Sequence, residues 1–496
     1  MGKIDYLAKL KFSRYIVAST MMVPERITCV AWGGFVKDIK GRDTEKYQFA
    51  VAGNKQLHLW KLEAKTGILE HELINTGSTI REYLCLDFSK NKEDFLYAGT
   101  TSGDFCVFQM KNKILASVVN VCALGVTSIV AVDKETLCVG GGNGTLALYH
   151  IDGAVMAPIQ KTTLVGAVNS LSVSGKGDNV LASTDKGFVY RASPVNLDKA
   201  LQCENHTESV LFLAYPSKVS EKFASCSEDQ TIRLWDVAEY SVEQRIVCPG
   251  ADSPLCLIYS DEVILSGWGD DKMRMYRIDN GNKVWQIDNA HKGGVTTMCL
   301  SGNHKFICSG GAQGECRVWE LRSREMVSNL KEHTHRVSKV QLWQDDLHLI
   351  SASRDKALLC WDLKTEKRVS AHIQRMGGIN SFDIVPGENL ILTTGQDRKI
   401  TYWDLREPNA VRSFDTNNNP KNGDECFSLA CSHNGKYFAT GGSEEIVRLW
   451  DIGTGKVLGE GAGHSGTINT VAFSADDKQF ISGGKDGSIF LWNVYA

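Results

Sequence analysis

The stretch His333–Leu363, HTHRVSKVQLWQDDLHLISASRDKALLCWDL, decides how the rest of the chain reads. It opens on a histidine, carries Ser351 in an apolar run, sets Asp355 in a polar turn and closes on Trp361-Asp362. Apolar residues alternate along its short runs, the period-2 pattern of β-strands separated by turns. The same parts recur elsewhere. His206, Ser225, Asp229 and Trp235 make one set, and His464, Ser482, Asp486 and Trp492 another. The His-to-Asp gap is 23, 22 and 22 residues, and the Asp-to-Trp gap is six each time. A hydrolase triad is assembled once, at a cleft. Parts copied at fixed spacing predict a structural device. A buried carboxylate is costly alone, so it needs donors from its turn and from the histidine.

Working outward, an aromatic residue ends a short apolar run at Trp60, Phe108, Tyr149, Tyr190, Trp235, Tyr276, Trp319, Trp361, Trp403, Trp450 and Trp492. These 11 anchors span 432 residues in ten steps, a period of 43.2. Each unit reads as a strand, a polar turn, a second strand, a tight turn and a third strand, as in INTVAFS (Ile468–Ser474), FISGG and SIFLW. No segment shows sustained helical periodicity, so the chain is predicted to be all-β.

Composition agrees with a folded repeat protein. Net charge is −3 over 496 residues, which argues against a strongly basic nucleic-acid binder. No run of 18 apolar residues and no apolar leader block occurs, so no membrane span or signal peptide is expected. The 15 cysteines contain no Cys-x-x-Cys pair, and buried reduced thiols are expected rather than a metal site. GTGKVLG (Gly453–Gly459) has Val457 where a phosphate loop needs Ser or Thr. No catalytic, cofactor-binding or metal-binding set is expected.

The period of about 43 with strand–turn units resembles the WD40 repeat, a four-stranded propeller blade of ~40–45 residues. That resemblance implies a buried hydrogen-bond network from the turn Asp, the His, the strand Ser and the closing Trp of each set. Gln313 and Glu444 replace the Asp in two repeats, and Asn54, Ser102, Asn143 and Thr184 stand in its place in the first four. Propellers hold ~4–8 blades, so eleven must divide. The chain stops four residues past Trp492, leaving the last blade one strand short. Leu197–Asn205 is predicted to supply that strand, making residues 197–496 a seven-bladed propeller. Residues 1–196 are then four degenerate blades, either a small ring locked by Ser13–Thr20 or an open arc.

Six ordered segments sharpen the resemblance: YAGTTSGDFCVF, DNAHKGGVTTM, SGGAQGECRVWEL, LKEH, TTGQDRKITYWDL and GAGHSGTINTV. Together they resemble the cilia- and flagella-associated WD40 proteins with two seven-bladed propellers. Against fourteen blades, the chain reads as N-terminally shortened. The resemblance implies a cytoskeletal, axonemal location inside doublet microtubules. It implies a non-catalytic scaffold that binds tubulin and other axonemal inner proteins and stabilises the B-tubule near the inner junction. No nucleic acid, membrane or small-molecule substrate is implied. A soluble WD40 hub in signalling, trafficking or ubiquitin ligation is the alternative. Arg354, Lys356, Arg398 and Lys399 flank the tight turns of two adjacent blades and are candidate contacts for an acidic partner, as are Lys11 and Arg14. Trp268 and Trp343 lie outside the closing position and are candidate partner anchors.

Overall fold

The computed structural model describes residues 27–37, 42–53, 55–63, 65–90, 95–174, 177–248, 250–343, 345–416 and 424–495. Lys11, Arg14, Ser13–Thr20 and Asn54 lie outside the described residues. What is described is all-β: eleven antiparallel sheets in chain order, ten of four strands and a last one of three. Each sheet is a meander in which successive strands pair. In most sheets the second strand, such as Phe480–Gly484 within Gln479–Gly484, is buried almost throughout, because sheets pack on both of its faces. That is why its sequence is a continuous apolar and small-residue run.

The chain divides into two compact units, Met1–Glu204 and Asn205–Ala496. In the first, four sheets pack in series. One core joins the first and second through Leu57, Leu59, Leu96 and Phe108. A second joins the second and third through Phe105, Val107 and Val139, and a third joins the third and fourth through Leu146, Leu148, Val180 and Ala182. Among the described residues no core joins the fourth sheet to the first. Trp32 on the first sheet is 60% exposed and Leu181 on the fourth 43%.

In the second unit seven sheets return on themselves. Several first strands are stitched to the next by a side chain reaching the neighbour's carbonyl. Thr296 Oγ1 donates to Val337 O at 2.6 Å, and Asn380 Nδ2 to Cys426 O at 3.0 Å. Asn469 Nδ2 of the last sheet donates in the same way to Val210 O of the unit's first, at 2.9 Å. Val210, Leu213, Phe223, Trp235 and Ile481 form the core across that junction.

Two expectations need correction. The strand Lys199–Glu204 pairs with Phe188–Ala192 and completes the fourth sheet. It does not complete the last sheet, which ends on Ile489–Asn493 with three strands among the described residues. The physical reason is competition. Tyr190, Arg191 and Ala192 offer an unpaired edge only seven residues upstream, so the short loop closes first and at lower entropic cost. The second correction is register. Gly487 takes φ 74° five residues before Trp492, and Gly187 takes φ 76° five residues before Ala192. Ala192, opposite Val180, therefore holds the closing position in the fourth sheet, and Tyr190 lies two residues short of it. Lys186 rather than Thr184 then stands where Asp is found in the complete sets.

Candidate functional site: buried ties and an exposed turn face

In the three complete sets the loop before the first strand, the second strand and the turn after it converge. His206 Nδ1 lies 2.8 Å from Asp229 Oδ2 and its Nε2 2.7 Å from Ser225 Oγ. Trp235 Nε1 donates to the same Ser225 Oγ at 2.8 Å. Around Asp355 and Asp486 the tie repeats: His333 to Asp355 at 2.9 Å and to Ser351 at 2.8 Å, and His464 to Asp486 at 3.1 Å and to Ser482 at 2.8 Å. Trp361 and Trp492 each donate to their serine at 2.8 Å.

The proton arrangement follows from donor chemistry. An indole N–H only donates, so the serine oxygen accepts it and gives its own hydrogen to Nε2. The histidine is then neutral, with its hydrogen on Nδ1 pointing at the carboxylate. Burial pushes His206 below its ordinary value, against the pull of Asp229. Burial alone would raise the Asp355 carboxyl, but the His333 bond and the Thr334 and Ala357 amides hold it down at about 2. Asp229 is held lower still, despite its burial, by His206, Thr231 and Arg233. Each serine hydroxyl is buried and fully engaged. The tie fastens the turn between second and third strands to the incoming loop.

Incomplete ties show what each member does. His291 was missed in the sequence reading, although it precedes Gln313 by the same 22 residues. Its Nε2 lies 2.8 Å from Ser309 Oγ, and Trp319 Nε1 donates there at 2.9 Å. With Gln313 in the acid's place, His291 Nδ1 is buried without a hydrogen-bond partner. Burial, helped by the Arg317 charge, pushes this imidazole down to about 4. Further on, Trp403 and Trp450 donate to Thr393 and Thr440 at 2.9 Å, and Glu444 pairs with Arg448 at 2.5 Å. In the second sheet Ser102 occupies the acid's place, but the carboxylate stands two residues on. Asp104 accepts from Ser102 Oγ at 2.7 Å and from Arg81 Nε at 3.2 Å.

Trp268 is not a surface anchor. Its side chain is fully buried, its Nε1 donates to Ser266 Oγ at 2.7 Å, and the Arg274 guanidinium covers its ring at 4.6 Å. The closing position here is Tyr276, whose hydroxyl meets Cys248 Sγ at 2.7 Å. Trp268 supplies the indole N–H from the end of the second strand instead. Trp343 packs partly buried against the core of the eighth and ninth sheets.

The four basic candidates sit at equivalent turns of two successive sheets. Arg354 and Lys356 are exposed on either side of Asp355, and Lys399 is exposed on the matching turn of the next sheet, with Arg398 half-buried beside it. Lys356 and Arg398 hold the left-handed position of their turns, at φ 75° and 61°. Arg336 joins them: its carbonyl accepts from Arg354 N at 3.1 Å. Its guanidinium is pushed down by its surroundings and by the charge of Arg354. Asp355 is committed to its own tie, so it offers this face little compensating charge. A cavity of about 480 Å³ lies elsewhere, lined by Glu388, Leu390, Arg412 and Tyr437. Among the described residues no group of His, Cys, Asp and Glu is arranged to hold a metal ion.

The WD domain, G-beta repeat family matches residues 199–236, 411–451 and 455–493. Each match stops one residue past a closing tryptophan. The anaphase-promoting complex subunit 4 WD40 domain family matches residues 257–346. The chain is 29% identical over 454 residues to cilia- and flagella-associated protein 52 of Bos taurus, covering 90% of this chain and 71% of that protein. It is 28% identical over 470 residues to the protein of the same name from Chlamydomonas reinhardtii, covering 92% and 74%. It is also 25% identical over 302 residues to a WD repeat-containing protein 26 homolog of Arabidopsis thaliana, covering 59% and 49%. Repeats that end where the ties end, and relatives that run through nearly the whole chain, show that this chain carries WD40 repeats.

Proposed function

We propose that this chain is a non-catalytic scaffold of the ciliary or flagellar axoneme, a microtubule inner protein. In this reading it binds tubulin and neighbouring luminal proteins and stabilises the B-tubule near the inner junction. The observation that carries the reading is similarity to cilia- and flagella-associated protein 52 across nine-tenths of the chain, in animals and an alga alike. The geometry fits: the His, Ser and Asp sets are consumed in ties, leaving rigid turn-bearing faces as the usable surface. Tubulin is acidic, and Arg336, Arg354, Lys356 and Lys399 offer a cationic face whose contact would weaken with salt. Many small contacts along a lattice add up, because each binding event raises the effective concentration for the next.

The test is extraction. The protein should stay with demembranated axonemes through detergent and mild salt and leave only when the doublets dissolve. Release at the first wash would defeat the reading. It would favour a soluble WD40 hub, to which the partial similarity to a WD repeat-containing protein 26 homolog points. Charge reversal of Arg354, Lys356 and Lys399 together should lower co-sedimentation with microtubules several-fold while leaving the unfolding midpoint unchanged.

A further inference from the structure

Among the described residues the cysteines are free thiols, and on paired strands only two of them stand directly opposite one another. Cys299, on the first strand of the seventh sheet (Val295–Leu300), faces Cys308 on the second (Phe306–Gly311). Elsewhere a cysteine meets another residue type: Cys29 lies opposite Ala52, Cys85 opposite Gly99, Cys226 opposite Phe212 and Ile232, and Cys431 opposite Phe438. Two residues along from Cys299, Ser301 N donates to Phe306 O at 2.9 Å. Antiparallel pairs alternate, so Cys299 and Cys308 are a hydrogen-bonded pair with Cα atoms about 5.5 Å apart. That is the spacing at which a disulfide closes without moving the backbone.

Both side chains project toward the eighth sheet. Cys308 is fully buried in the core shared with Val337, Val340 and Leu349, and Cys299 packs against that core partly exposed. The two thiols touch: the bond to Cys299, together with burial, raises Cys308 well above the ordinary thiol range. The Cys308 hydrogen is thus held against the Cys299 sulfur, and Cys299 is the sulfur that solvent reaches. A third thiol shares the core but not the geometry. Cys316 lies opposite Gly310, diagonal to Cys308. Diagonal neighbours stand about 7–8 Å apart, too far for a disulfide, and Cys299 is one strand further away. Burial pushes Cys316 up to about 12, and its thiol is engaged with Ser351 of the next sheet.

We propose that Cys299 and Cys308 form a peroxide-responsive modification site, an oxidisable dithiol that fastens the first strand of the seventh sheet to the second by a disulfide. In the first step the Cys299 sulfur attacks one oxygen of hydrogen peroxide. The O–O bond breaks, Cys299 becomes a sulfenic acid, and the leaving hydroxide takes the Cys299 proton as water. In the second step the Cys308 sulfur attacks the sulfenic sulfur. The S–O bond breaks, and hydroxide leaves with the Cys308 proton as a second water. Two electrons pass from the thiols to the peroxide. The partly exposed sulfur meets the oxidant, and the buried one resolves it.

The test treats the full chain, reduced and desalted, with hydrogen peroxide, then alkylates it and maps cysteine peptides by mass spectrometry. A Cys299–Cys308 link should form before any other and be reversed by dithiothreitol. It should form roughly tenfold or more faster in the folded chain than in urea, because the fold holds the two sulfurs in place. In Cys308→Ser the sulfenic acid has no resolving thiol, so dimedone labelling of Cys299 should rise several-fold over the parent. Three results overturn the proposal: no such link in the folded chain, a rate no greater than in urea, or a first link that includes Cys316. A Cys308→Ser chain that labels no more than the parent overturns the order of the two steps.

Discussion

Removing the carboxylate of Asp355 tests the argument about the ties most directly. In Asp355→Ala, His333 Nδ1 loses its acceptor at 2.9 Å, and the Thr334 and Ala357 amides lose theirs at 2.9 and 3.0 Å. The His333 side chain is fully buried, so its N–H is left without water or protein to bind. One such orphaned donor costs about 1–3 kcal/mol, and the two amides, nearer solvent, add a few tenths each. The expected loss is therefore ~2–4 kcal/mol of local stability. The lowered carboxyl pKa reflects the same bonds. The carboxyl is held at about 2 from an ordinary 3.8, which corresponds to roughly 2 kcal/mol. Because the folded value is depressed, this stabilisation is complete above about pH 4 and disappears as pH falls toward 2. The assay is urea-dependent hydrogen exchange in His348–Ser353 and Ala357–Asp362, run at neutral pH and again near pH 3. Asp355→Ala should speed opening of these strands at pH 7, and the difference from the parent should shrink at pH 3. Gln313→Ala in the seventh sheet, where no acid exists to lose, is the reference. If Asp355→Ala costs no more than Gln313→Ala, the carboxylate holds nothing and the structural reading of the repeated sets fails.

Gln313→Asp should run the experiment in reverse. It offers an acceptor to His291 Nδ1, so the His291 pKa should rise from about 4 by NMR titration, and stability should increase by about 1 kcal/mol; a static pKa would show that the turn cannot deliver the carboxylate. Trp268→Ala should cost ~3–5 kcal/mol, because a fully buried indole and its bond to Ser266 are lost. A mild stability effect paired with lost partner binding would return Trp268 to the surface.

Much of the tie was legible because it is encoded at short, constant spacings. An Asp six residues before a Trp, with a Ser ten residues before it, is a hairpin with its turn, and a period of 43 copies the hairpin. His291 was equally legible by its 22-residue spacing; it was passed over because Gln313 broke the pattern that drew attention. Tyr190 misled for a related reason. Alignment on aromatic side chains follows residue type, whereas the closing position follows the turn, and Gly187 places it at Ala192. Trp268 misled because a tryptophan off the repeat pattern looks unemployed. Only the packing reveals that it supplies the indole N–H that Tyr276 cannot.

What the amino-acid order determined by itself is everything that one repeat can specify: alternating strands, turn residues, the His–Ser–Asp–Trp ties and the number of units. Those depend on contacts within about forty residues, so the spacing carries them. What only the tertiary structure decided is which edge takes Lys199–Glu204, which sheets of the first unit share a core, and whether the last sheet meets the fifth. Two third-strand edges compete for that one strand, and a bond such as Asn469 to Val210 joins residues 259 apart. Such choices are set by comparing free energies across the whole fold, which no local pattern records.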